Sequence, residues 1–322
     1  MSLPLSAFAG PLRVGFFPNM THAQALVGKE RKLFEQKVGG EIAWKAFNAG
    51  PSAMEALLAG QLDLAFVGPN PAVNAFMRSK GKSLRIIAGA ASGGAALVVP
   101  QESATVSAND LKGKKVAAPE KGNTQDVALR YWLKGQGLAI GRDVQVVSTK
   151  NPDIFLFFQQ RQIAAAWVPE PWLTRLVQDA KGRILVDERT LWPGGKFPTA
   201  VLVVRTEFLQ NNRDAVRRFL AAHLEVEEWI GRNPAEAKTA INTQLKALTG
   251  KPLPARLLDD AFSRVLLTHD PLSAELLISA GRAGELGYLP RENVFPRARL
   301  REIFDLTLLN GLLKERRLPP VK

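Results

Sequence analysis

Short strand-like runs in this chain end again and again in a polar or glycine-rich loop that leads into a helix, and that punctuation constrains the fold most. Leu12-Arg13-Val14-Gly15-Phe16-Phe17 is β-rich and is closed by Pro18-Asn19. Helical spacing follows from Ala23 to Phe34. Residues 41–47 alternate polar and apolar side chains as a half-buried strand does. Gly50-Pro51-Ser52 then opens a helix with Met54, Leu57 and Leu58 on one side, and Leu64-Ala65-Phe66-Val67 is the next buried strand. This alternation predicts an α/β fold with largely parallel strands.

The rhythm restarts at Leu111-Lys112-Gly113-Lys114-Lys115-Val116-Ala117-Ala118. It continues through a helix carrying Ala128, Leu129, Trp132 and Leu133, a strand at 144–147, a helix around 155–160 and a buried strand at 163–168. Two β-rich runs, 95–99 and 199–204, flank this second unit, and from Phe208 onward the pattern is mainly helical. With 322 residues there is enough chain for two cores. The simplest arrangement inserts one α/β lobe, 99–202, into another made of 11–98 and 203–322. The flanking runs are then the crossovers and serve as a hinge.

Composition removes several function classes. There is no cysteine, so thiol nucleophiles, thiolate metal sites and disulfides are out. The histidines are His22, His223 and His269, and no HExxH, P-loop or GxSxG pattern occurs. His223 and His269 read as packing or surface residues. An enzyme has little to stand on, and neither metal nor cofactor is expected. No apolar run reaches bilayer length. The net charge of +13 is scattered, and its densest piece is Lys314-Glu315-Arg316-Arg317. A solvated surface, or attraction to an anionic membrane face or acidic partner, explains it better than nucleic-acid binding. Ser6-Ala7-Phe8-Ala9-Gly10 carries the small residues left near a signal-peptidase cut. It predicts export to the periplasm or another extracytoplasmic space, with the signal trimmed.

Candidate ligand contacts lie in the loops that follow strands, because open α/β sheets bind beyond the carboxyl ends of their strands. Helix N-termini there offer unpaired N–H groups and partial positive charge, enough to hold an anion without Arg or Lys. The candidates are Asn19, Thr21 and His22 in the first loop, then Ser52, Asn70, Asn123 and Thr124. Ser92, Gly93 and Thr199, beside the flanking runs, join them. Ser52, Asn70 and Thr124 read equally well as helix caps. Trp167-Val168-Pro169-Glu170-Pro171-Trp172 is a rigid, partly apolar corner. Its indoles either close on a ligand's carbon chain or pack the core. Glu170 either pairs with the ammonium of a zwitterion such as taurine or bonds backbone groups near the hinge, and the second is favoured.

Several of these segments, in order, resemble the substrate-binding proteins of ABC importers in the aliphatic sulfonate, nitrate and taurine group (SsuA-like, NMT1/THI5-like). They are Ala49-Gly50-Pro51-Ser52-Ala53-Met54-Glu55-Ala56-Leu57, Gly60-Gln61-Leu62-Asp63, Gly68-Pro69-Asn70-Pro71, Asp110-Leu111-Lys112-Gly113-Lys114-Lys115-Val116-Ala117, Gly122-Asn123-Thr124 and the 167–172 corner. The resemblance implies a type II periplasmic binding protein: two α/β lobes, two crossover strands and a ligand clamped between them. It also implies a membrane permease and its ATPase as partners, and capture by hinge closure. Members of the group bind alkanesulfonates, taurine, nitrate, bicarbonate or thiamine pyrimidines. Neutral donors beside a tryptophan-lined corner favour an alkanesulfonate or taurine here. Nitrate, a thiamine-pyrimidine precursor, or an enzyme on the same bilobal fold with His22 as its one histidine candidate are the alternatives. Asn19-Met20-Thr21-His22 departs from any single subfamily pattern.

Overall fold

The computed structural model describes residues 10–291 and 296–322. The signal-peptidase pattern at Ser6–Ala9 lies outside the described residues. The elements of the first part are β1 (Leu12–Phe16), α1 (Ala23–Glu30), α2 (Leu33–Val38), β2 (Ile42–Ala46), α3 (Gly50–Leu58), β3 (Leu64–Val67), α4 (Pro69–Arg78) and β4 (Leu84–Gly93). The middle holds β5 (Ala95–Pro100), β6 (Lys115–Pro119), α5 (Thr124–Gly135), β7 (Gln145–Thr149), α6 (Asn151–Gln159), β8 (Ala165–Pro169), α7 (Trp172–Gln178) and β9 (Gly182–Asp187). Then come β10 (Pro198–Arg205), α8 (Thr206–Asn211), α9 (Arg213–Arg232), α10 (Pro234–Thr249), α11 (Ala255–Ser263), β11 (Val265–Leu267), α12 (Ser273–Glu285) and α13 (Thr307–Glu315).

The strands form two sheets, each the centre of one lobe. The first has the order β11-β4-β10-β3-β1-β2 and the second β7-β6-β8-β5-β9. Each sheet is covered on both faces, and the alternation of side chains along a strand divides them between two cores. In β3, Leu64 and Phe66 enter the core under α1, α2 and α9, while Ala65 and Val67 enter the core under α3, α4 and α12. In β8, Ala166 and Val168 face α6 and α7, whereas Ala165 and Trp167 face α5.

Both sheets are mixed, which corrects the expectation of largely parallel strands. β1 runs parallel to β2 and β3, and β6 parallel to β7 and β8. The strands that carry the chain between lobes, β5 and β10, run antiparallel to their neighbours. A strand arriving from the other lobe enters its sheet from the cleft side, where the parallel strands end, and so must run against them. The changes of sheet fall at Gly93-Gly94 and across 188–197. The flanking runs at 95–99 and 199–204 are the strands β5 and β10, which carry the chain across and are also full members of their sheets. The first change turns on two left-handed glycines, Gly93 at φ +78° and Gly94 at φ +69°. The single helix expected over 23–34 is broken at Lys32, whose φ is +55°. The turn brings the ring of Phe34 onto Phe219, stacked at 4.4 Å.

Candidate functional site

Four helices start at the cleft: α3 and α4 from the first lobe, α5 and α6 from the second. Their N-caps are Ala49, Gly68, Asn123 and Lys150, and in none does the capping side chain bond the helix. The first-turn N–H groups are thus left for something else. Pro51, Pro69, Pro71 and Pro152 fix the backbone of these first turns but carry no N–H. The donors of α3, α4 and α6 are accordingly few, and α5, without proline, offers the most.

Ala49, Gly68, Asn123, Thr124 and Asn151 line one small, tight cavity. Asn19, Thr21, His22, Asn48, Gln125 and Thr199 add polar groups, and Phe17 and Pro169 add apolar wall. No Lys, Arg, Asp or Glu belongs to this lining. His22 is completely buried, and that desolvation pushes its pKa down to about 3. Its Nδ1 accepts from the Phe17 N–H at 3.3 Å. The neutral ring therefore carries its proton on Nε2 and is a donor. Thr124 Oγ1 and Asn151 Oδ1 are buried with no hydrogen-bond partner among the described residues. Asn123 Nδ2 donates to Gln125 Oε1 (2.9 Å), and Thr199 Oγ1 donates to the Ala91 carbonyl (3.1 Å).

The lobes are closed on each other. Met20 N–H donates to the Glu170 carbonyl (3.0 Å), Asn48 Nδ2 to Glu120 Oε1 (3.2 Å) and the Tyr288 hydroxyl to Asp126 Oδ2 (2.7 Å). A Cβ placed on Gly68 would come within 2.3 Å of Thr124 Oγ1 across the gap. Glycine at this position is what lets the starts of α4 and α5 meet.

Of the expected contacts, Asn19, Thr21, His22, Asn123, Thr124 and Thr199 come together here. The others go elsewhere. Ser52 Oγ donates back to the Ala49 carbonyl at 3.0 Å. Asn70 is tied to α12: its Nδ2 donates to the Ser279 carbonyl and its Oδ1 accepts from Ser279 Oγ. Ser92 Oγ accepts from the Phe197 N–H, and Ser92 and Gly93 border an outer groove beside the crossovers instead. Trp167 is fully buried in the second lobe, its Nε1 donating to Glu188 Oε2 at 2.7 Å. Glu170 is fully buried and accepts from the Thr174 N–H and hydroxyl, with Arg264 Nε 3.3 Å away. Burial raises its pKa to about 7 against the opposing effect of those bonds.

Sequence reading missed Asn48 and Asn151. The signal for Asn151 was present: Lys150-Asn151-Pro152 follows a strand and opens a helix, as the other loops do. Among the described residues there is no cluster of His, Asp or Glu able to hold a metal, and no helix long and apolar enough to cross a membrane.

Comparison with known proteins adds four findings. The sequence model of the NMT1-like family matches residues 9–244. A relative from Brucella abortus (strain 2308) is 31% identical over 73% of this chain and 72% of its own length. The taurine-binding periplasmic protein of Escherichia coli (strain K12) is 27% identical over 65% of this chain and 64% of its own. Among solved structures, the alkanesulfonate-binding protein SsuA from Xanthomonas axonopodis pv. citri, bound to MOPS, superposes with a TM-score of 0.74. That match is 22% identical and covers 90% of this chain and 99% of the other, which places both chains in the bilobal periplasmic-binding fold.

Proposed function

The chain belongs to the NMT1-like family, and on that premise we propose that it is the extracytoplasmic solute-binding protein of an ABC importer, taking up a small organic anion, an alkanesulfonate or taurine. One observation carries the reading: four uncapped helix starts, two from each lobe, border a single cavity that no charged side chain enters. An oxyanion seated there accepts from backbone N–H groups, from Thr124 Oγ1 and from His22 Nε2. All of these are neutral donors, backed by the positive ends of helix dipoles. Because the donors come from both lobes, the anion favours the closed arrangement over the open one, and binding shifts the population toward it.

The same features argue for binding without chemistry. His22, the one titratable side chain on the cavity, is held neutral down to about pH 3 and has no proton to exchange near neutrality. Delivery then falls to a membrane permease and its ATPase, for which the closed lobes form the docking partner.

A thermal-shift screen of ligand-stripped protein tests this, using taurine, ethanesulfonate, nitrate, bicarbonate and a thiamine pyrimidine. A ligand at about 100 times its Kd adds about 2.7 kcal/mol, which is readily seen. We expect taurine or ethanesulfonate to raise the melting temperature. Silence from both, beside a response to the pyrimidine, overturns the assignment.

A further inference from the structure

The inner cavity has a neighbour across three shared residues. Asn19, Asn48 and Asn151 line it on one side and border a much larger groove on the other. This outer groove is far the roomier of the two. It is built from both lobes: Phe155, Leu156 and Trp172 from α6 and α7, Leu253 and Pro254 from the segment before α11. The inner compartment is mostly polar, and the outer one is more apolar, with Phe155 and Trp172 on its wall.

Arg175 gives the outer groove its particular character. Its guanidinium carbon lies 4.5 Å from the Phe155 ring centre and 4.7 Å from that of Trp172. Its Nε is buried with no hydrogen-bond partner among the described residues, and Asp179 Oδ2 stands 3.6 Å away, within ion-pair but outside hydrogen-bond range. A flat, delocalised cation held against two rings extends their stacking surface, something a lysine cannot do. Asn151, shared by both linings, is 4% exposed, and its Oδ1 lacks a partner among the described residues, so the boundary between the two is polar and unsatisfied.

We propose that the outer groove is a tail subsite, and that the ligand is an aryl-bearing sulfonate. Its oxyanion head sits in the inner cavity, and its ring lies in the groove against Phe155, Trp172 and Arg175. The inference rests on the oxyanion reading of the inner cavity and adds the class of tail. A short ligand such as ethanesulfonate has no part that reaches the groove and leaves it to water. An aromatic tail displaces that water from apolar wall and is gripped by both lobes at once.

Calorimetric titration of the full, ligand-stripped chain decides it, with ethanesulfonate, octanesulfonate, benzenesulfonate and 2-naphthalenesulfonate as probes. The wild type is compared with Phe155→Ala and with Leu156→Asp, the latter at an exposed position where the fold tolerates change. We expect naphthalenesulfonate to bind at least about tenfold tighter than ethanesulfonate, and tighter than octanesulfonate. Both variants should lose most of that gain while holding ethanesulfonate within about twofold of wild type. Equal affinity for the aryl and ethyl probes, a preference for octanesulfonate, or a gain that survives both variants overturns the tail subsite and leaves the head reading standing. Silence toward every probe, ethanesulfonate included, overturns both.

Discussion

Three helices of the second lobe begin at the ends of strands that lie side by side, yet they are finished in two different ways. At the start of α7 the chain supplies its own anion: the Glu170 carboxylate accepts from the Thr174 N–H at 3.1 Å and from its hydroxyl at 2.8 Å. Arg264 completes the neutralisation. At the starts of α5 and α6 no such group is provided, and the nearby Thr124 Oγ1 and Asn151 Oδ1 stay unpaired. The first arrangement makes a joint that holds the corner after β8 whether or not a ligand is present. The second makes a vacancy for a foreign anion. The difference lies in whether one side chain folds back over the helix end, and it separates support from reception within the same lobe.

The largest effect expected from breaking this contrast comes from closing the vacancy mechanically. Gly68→Val drives a branched side chain into the space that Thr124 Oγ1 occupies and holds the lobes apart. Affinity should fall by about 100-fold or more, equivalent to about 2.7 kcal/mol, with the fold retained by circular dichroism. Unchanged binding would mean that α4 and α5 do not have to meet. Next come the unpaired groups. With taurine as ligand, Thr124→Val, which removes a donor to the oxyanion, and Asn151→Ala, which removes an acceptor for the ammonium, should each weaken binding by about 1–3 kcal/mol, as expected for a buried polar contact. Ser52→Ala, which removes a hydroxyl already bonded to its own Ala49 carbonyl, should stay within about 0.5 kcal/mol. Equal losses at all three positions would erase the distinction between open and self-satisfied helix starts.

The smallest effect is a pH dependence of stability. Burial raises the carboxyls of Glu170 and Glu188 from about 4.5 to about 7, so the folded state binds more protons than the unfolded one between those values. Their contribution is full below the unfolded value and is lost as pH rises through about 7. His22 acts in the other direction: it is depressed from 6.5 to about 3, and its contribution is full above 6.5 and lost as pH falls. Glu188→Gln should therefore flatten the decline of melting temperature between about pH 5 and about pH 8, since Gln keeps an acceptor for Trp167 Nε1 but cannot titrate. An identical slope in the variant would show that Glu188 does not carry it.

The strand–loop–helix order was legible because apolar runs and their Gly, Pro and Asn punctuation are local signals. The inner cavity was legible in part for the same reason: each helix start declares itself by sequence, as Asn123-Thr124 and the first loop do. What the sequence does not encode locally is which face a side chain takes and what lies opposite. Trp167 looked like a ligand contact, but the alternation of β8 turns it under α5, where Glu188, 21 positions along the chain, receives its N–H. Asn70 sits on a loop of the right kind but meets Ser279, 209 positions away, before any ligand does. Asn48 was passed over because nothing next to it signals that Glu120 of the other lobe will stand opposite. The mixed sheets had the same cause, since the direction of β5 and β10 depends on where the chain re-enters each lobe.

The cavity without cations has a kinetic meaning. The chain carries a net charge of +13, yet among the described residues no charged side chain lines the inner compartment. Long-range attraction of an anion therefore comes from the outer surface, where salt screens it within about 10 Å. On the proposed reading the grip comes from amide dipoles inside the closed cleft, where screening is weak. Arrival and residence are thereby set by different parts of the molecule: a salty medium slows the encounter, and the captured anion stays just as long.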